Sequence, residues 1–162
     1  MTVRHSTAAD LPALRGIYAA ARAFMKATGN PHQWGDTKPT EEMILSDIDR
    51  GVGYVVEEAG RPCGAFAFIE GIDPTYGVID GGAWLNDAPY GTIHRIASDG
   101  TARGVLAAAL AFGAQRVDNI RIDTHADNRV MQHLLDTYGF TRCGVIYLEN
   151  GDPRLAYQKV IR

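Results

Sequence analysis

The stretch Ile93-His94-Arg95-Ile96-Ala97-Ser98-Asp99-Gly100-Thr101-Ala102-Arg103-Gly104-Val105-Leu106 decides how this chain folds. Its first six residues read as a strand. Asp99 to Gly104 make a tight loop carrying two glycines, and an Ala/Leu-rich helix follows. Downstream, Ile120-Arg121-Ile122-Asp123-Thr124 reads as a second strand, and a further helix ends at Gly139-Phe140. Residues 96–140 thus form one strand–loop–helix–strand–helix unit. A glycine-bearing loop that opens a helix leaves the N–H groups of the first turn unpaired, at the positive end of the helix dipole. A phosphate or pyrophosphate suits such donors.

The rest of the chain frames that unit. Thr2 to His5 is a short opening strand. Thr7, with Asp10 three residues on, marks a helix start, and Leu11, Leu14, Tyr18, Ala21 and Met25 recur at helical spacing until Gly29-Asn30-Pro31 stops them. A second helix begins at Thr40. Gly53–Glu58 and Cys63–Glu70 form a hairpin across Ala59-Gly60-Arg61-Pro62. Residues 71–92 are rich in Gly, Asp, Pro and aromatics, and a further strand is expected at Val78 to Trp84. Asp127 is a candidate cap for the last helix, and Gly139 suits its left-handed end. Thr141–Leu148 and Arg154–Ile161 are two strands joined at the Asn150-Gly151 turn. This order predicts one mixed sheet with helices on its faces.

Composition narrows the function. The 162 residues suffice for a single domain across residues 1–162, and 46% hydrophobic with 22% charged residues is ordinary for a globular protein. A formal net charge of -3 gives no support to nucleic-acid binding, which needs a basic face. The N-terminus has no apolar signal core and no run approaches a membrane span, so a cytoplasmic protein with no membrane partner is expected. Cys63 and Cys143 lie in apolar, strand-like runs and read as buried thiols. His94, His125 and His133 show no metal-ligand spacing, so no metal is expected.

The chain resembles the GNAT superfamily of N-acetyltransferases over nearly its whole length. The residues that carry the resemblance are Thr101-Ala102-Arg103-Gly104-Val105-Leu106 after a strand, Asn128 after the next strand, and Leu134-Leu135-Asp136-Thr137-Tyr138-Gly139-Phe140 at the end of the last helix. Family members carry a Gln/Arg-x-x-Gly-x-Gly/Ala loop, an Asn after the fifth strand and a helix ending in Gly-Phe. The resemblance implies a single twisted mixed α/β sheet of about six to seven strands with helices on both faces. It implies an acetyl-CoA-dependent acyltransferase that acts directly, in a ternary complex, on a small-molecule amine or peptide acceptor. A homodimer is compatible with it.

Two registers of the loop fit the family pattern. One puts Gly104 at the central Gly position, with Thr101 leading and Leu106 last. The other puts Gly104 last, Ala102 central and Asp99 leading. The first is preferred, because it leaves Ile96 and Ser98 at the strand's end. Either way a larger residue stands where the family has a small one. The resemblance implies that amides of Thr101, Ala102, Arg103, Gly104, Val105 and Leu106 hold the pyrophosphate. It also implies that Ile96, Ala97 and Ser98 offer a strand edge to the pantetheine arm. Arg103 is either a phosphate partner or a solvated surface charge. Asn128 either bonds the pantetheine amides or caps its helix.

Amine acylation needs a base, an oxyanion donor and a route for protonating the departing thiolate. The family often places a Tyr seven residues after the Asn, and here that position is Leu135. Tyr138, one helical turn on, is the candidate acid. His94 is the first candidate base, because imidazole titrates near neutrality. His125, Glu70 and Asp87 follow. A backbone N–H near Ile96 or Ala97 is the implied oxyanion donor. Trp34, Tyr76, Trp84 and Tyr90 are candidate walls for the acceptor pocket. The missing Tyr keeps alive a non-catalytic acyl-CoA-binding or sensor domain. A nucleotide-phosphate enzyme is disfavoured, because Gly-x-x-x-x-Gly-Lys-Ser/Thr is absent.

Overall fold

A computed structural model describes residues 1–162. Seven strands make one sheet: β1 (Thr2–His5), β2 (Gly53–Glu58), β3 (Arg61–Glu70), β4 (Gly91–Ser98), β5 (Asn119–Thr124), β6 (Thr141–Tyr147) and β7 (Pro153–Val160). Their order is β1-β2-β3-β4-β5-β7-β6, and every pairing is antiparallel except β4 with β5. Four helices cover it: α1 (Leu11–Ala27), α2 (Glu41–Asp49), α3 (Val105–Ala114) and α4 (Arg129–Thr137).

The strand period of two divides the buried residues between the faces. Leu14, Ile17, Tyr18 and Ala21 of α1 and Ile44 of α2 pack on Val55, Ala65 and Ala97. On the opposite face Val105, Leu106, Ala109 and Leu110 of α3 and Leu135 of α4 meet Phe66, Phe68, Ile93, Ile120, Ile122, Leu155 and Tyr157. The start expected for α2 holds, whereas α1 begins at Leu11 with Asp10 at its cap position and Thr7 heads only a short 3-10 turn, Ala8–Asp10, before it. The Thr7 N–H donates to Asp10 Oδ2 at 2.8 Å, and Thr40 Oγ1 accepts from the Met43 N–H. For α4 the cap is Asn128 and not Asp127, since Asn128 Oδ1 accepts from the Met131 N–H at 3.0 Å.

The strand expected at Val78 to Trp84 does not form. That segment pairs with the sheet by backbone hydrogen bonds only where Asp80 and Val145 exchange two of 2.9 Å. Its glycines explain this. Gly82 lies so close to β6 that a Cβ there would sit 1.9 Å from the Cys143 carbonyl oxygen, which demands a bare backbone and not a pleated strand. Both cysteines are free and buried. No helix is long and apolar enough to cross a membrane.

Candidate active site

The parallel pairing of β4 with β5 covers only Gly91 and Thr92 opposite Ile120 and Arg121. From Ile93 onward the edge of β4 that faces β5 has no ladder partner. A bulge accompanies the divergence. Ala65 pairs with Ala97 and Ala67 with His94, so Arg95 and Ile96 together oppose Phe66. A bulged strand bends and twists away from regular pairing. Arg95 takes φ 50, unusual for a non-glycine residue. It is held there from two sides. Its guanidinium forms two 2.7 Å bonds to the Asp47 carboxylate, and Tyr18 donates its hydroxyl to the Arg95 carbonyl at 2.8 Å.

Two cavities flank the splayed strand and meet at Ile96 and Met131. The larger, of about 770 Å³, runs along Ile96, Ala97 and Ser98 to the loop at Ala102, Arg103 and Gly104. Val130, Met131, Leu134 and Tyr138 of α4 form its far wall. In the loop the Gly100 amide is taken by Ser98 Oγ and the Thr101 amide by Asp99 Oδ1. The amides from Ala102 through Ala107 donate to nothing within the chain, and no side chain caps α3. Gly104 occupies the capping position at φ 99, a conformation that favours glycine. Arg103 is exposed at the rim.

The smaller cavity, of about 340 Å³, is lined by residues from several separate segments, among them Gln33, Trp34, His94, Asp123, Asn128 and Arg154. His94 Nε2 lies 2.8 Å from Asp73 Oδ2. An ionised carboxylate only accepts, so the proton between them is on Nε2 and the neutral ring keeps its lone pair on Nδ1. Nδ1 has no partner within the chain. Burial would raise the Asp73 carboxyl, but the bonds from His94 and from the Thr75 hydroxyl and amide outweigh it and hold it at about 2.

The other expected residues fall as follows. Asn128 lines the smaller cavity, its Oδ1 capping α4 and one N–H donating to Gln33 Oε1 at 2.9 Å, which leaves its second N–H without a partner in the chain. Leu135 is completely buried, so a phenol in its place would face the core. Tyr138 borders the larger cavity at the C-terminal end of α4. It follows Met131 by seven residues, roughly 10 Å along a helix. His125 Nδ1 accepts the Asp127 amide, and burial together with Arg154 holds its pKa low. Glu70 and Asp87 are exposed and line neither cavity. Of the four aromatics only Trp34 lines the smaller cavity. Tyr76, Trp84 and Tyr90 pack together beneath it, with Arg121 between the last two. No group of three or more His, Cys, Asp or Glu side chains converges as a metal site.

Sequence reasoning missed Asp73, Asp123, Arg154 and the Arg95–Asp47 pair. A signal existed for Asp123 and Arg154, charges lying within runs expected to be strands. For Asp73, in irregular chain, only the Asp-Pro turn was visible.

No protein-family model and no curated protein matches the sequence. Solved structures do. An acetyltransferase of the GNAT family from Streptococcus agalactiae is 33% identical with a TM-score of 0.86, over 98% of this chain and 94% of that one. A GNAT-family acetyltransferase from Listeria monocytogenes is 21% identical, TM-score 0.69, over 98% and 94%. A ribosomal-protein-alanine N-acetyltransferase from Brucella melitensis is 21% identical, TM-score 0.61, over 99% of both chains. The last two likenesses speak to the fold.

Proposed function

The chain belongs to the GNAT family of acetyltransferases, and we propose from that premise that it moves an acetyl group from acetyl-CoA directly to a primary amine. GNAT enzymes take acetyl-CoA as donor. The observation that carries the reading here is the run of unpaired amides from Ala102 to Ala107, set at one end of a cleft whose other end opens beside His94.

The residues fit that donor. The loop amides and the Arg103 guanidinium suit the diphosphate. The unpaired edge of Ile96, Ala97 and Ser98 suits the amides of a pantetheine arm, added as an extra strand. Asn128 fixes the start of α4 beside the reacting end through Oδ1 and keeps one N–H for the amides of that arm. When bound, acetyl-CoA supplies the thioester carbonyl that the amine attacks, the C–N bond forming and the C–S bond breaking with coenzyme A thiol as the product.

His94 Nδ1 takes the proton that the attacking ammonium must lose, directly or through one water, and Asp73 orients the ring and balances the imidazolium. The backbone N–H of Ile96, on the open edge of β4, meets the oxyanion. A thiol with a pKa near 8.5 departs readily near neutrality, so turnover does not require a dedicated acid. Tyr138 then serves as cleft wall, and Leu135 in place of a tyrosine does not argue for a binding-only domain. Thiol release from acetyl-CoA across a panel of amines tests the proposal. Amine-dependent release is expected, and tight binding without release would favour a sensor.

A further inference from the structure

Resting on the acetyltransfer reading above, we infer that the acceptor is an amine carrying its own carboxylate, a free amino acid, and that Arg154 receives that carboxylate. Arg154 is 6% exposed on β7, which has a strand on either side. One Nη donates to the Pro153 carbonyl at 2.8 Å and the other makes a long 3.4 Å contact with the Gln33 carbonyl. Unlike Arg4 and Arg95, it forms no ion pair. A buried guanidinium without a counter-charge is costly, and most of its donors remain free. Burial lowers its pKa, with Asp123 and Asp152 opposing from a distance. A cation held in this way is suited to an incoming anion.

The groups around it set the rest of the ligand. Asp123 lies in the same cavity and uses only Oδ2, which accepts the Tyr76 hydroxyl at 2.6 Å. Oδ1 has no partner in the chain. Asp123 is registered opposite Ala156, so Arg154 is its diagonal neighbour on the same face. Such diagonals place side-chain origins roughly 7–8 Å apart. That separation leaves room for one carbon bearing both charges, the ammonium toward Asp123 and His94 and the carboxylate toward Arg154.

The same arrangement selects against other amines. A peptide N-terminus carries an amide where the carboxylate would be, leaving the guanidinium buried and unpaired. The cavity volume, about 340 Å³, sits near the lower end of small-molecule sites, which run from roughly 300 to 1,000 Å³.

The test measures thiol release from acetyl-CoA with free amino acids, their α-carboxamides and their decarboxylated counterparts, alongside calorimetry of acetyl-CoA alone. For the preferred amino acid, kcat/KM should exceed that of its carboxamide by at least about tenfold. Arg154→Gln should remove this preference through KM without changing acetyl-CoA affinity, and Arg154→Lys, which keeps a charge in the fold, should retain part of it. Carboxamides or simple amines used as well as amino acids would overturn the inference and leave acetyltransfer standing. Acetyl-CoA bound with no acceptor consumed would overturn the inference and leave a binding module. Failure to bind acetyl-CoA would overturn both readings.

Discussion

Asp47 grips Arg95 through two bonds of 2.7 Å, and Arg95 is the residue at which β4 bulges with φ 50. A conformation of this kind costs of order 1–3 kcal/mol and persists only where its surroundings enforce it. The pair, with Tyr18 on the Arg95 carbonyl, therefore keeps β4 turned away from β5.

Asp47→Ala should leave a largely buried guanidinium unpaired. The expected loss is about 3 kcal/mol, or roughly 6–12 °C in Tm for a chain of this size. Acetyl-CoA affinity, measured below the new Tm, should fall as well, because the strand edge is no longer fixed. A variant that melts lower but binds the donor unchanged would show that the pair supports stability only.

His94→Gln should lower kcat by about a hundredfold or more, the range for a positioned base, and change the pH–rate profile. Asp73→Asn should lower it by a smaller factor, about tenfold, through lost charge-assisted orientation. A parental pH–rate profile in His94→Gln would remove His94 from the proton path.

The same Asp73 predicts an acid limit to stability. Its carboxyl is held at about 2 against an ordinary 3.8, so between these values the unfolded chain binds more protons than the folded one. The stabilisation is complete above about pH 4 and is lost as pH falls toward 2. Acid titration of unfolding should show a shallower decline across that window in Asp73→Asn than in the parent.

Tyr138→Phe should change kcat by no more than a few-fold, because Tyr138 stands two helical turns from Met131, where the two cavities meet. A drop of a hundredfold at unchanged KM would make Tyr138 the acid after all.

Much of this was legible in the sequence, for physical reasons. The unit from Ile93 to Phe140 announces itself because glycines at 100, 104 and 139 punctuate runs of clean helical and strand periodicity. Each of the three has positive φ in the structure. His94 was legible because its strand ends in the loop. Its partner was not. Asp73 lies 21 residues upstream in irregular chain, and only tertiary folding brings its carboxylate to Nε2. The segment from Val78 to Trp84 misled because apolar residues there follow the contour of β6 instead of pleating. Arg154 was hidden in plain view, since a charge on an interior strand reveals its surroundings only once the sheet order is known.

The claim on which the account turns is that the mouth of α3 holds the diphosphate of a coenzyme A thioester. Calorimetric titration of the protein with acetyl-CoA and with acetyl-pantetheine, repeated on Gly104→Pro, tests it most directly. Proline cannot adopt the φ of 99 found there and removes one of the amides. The account predicts that acetyl-CoA binds at least tenfold more tightly than acetyl-pantetheine, roughly a 1.4 kcal/mol difference, and that this margin collapses in folded Gly104→Pro. Equal affinity for the two thioesters in the parent protein would contradict it.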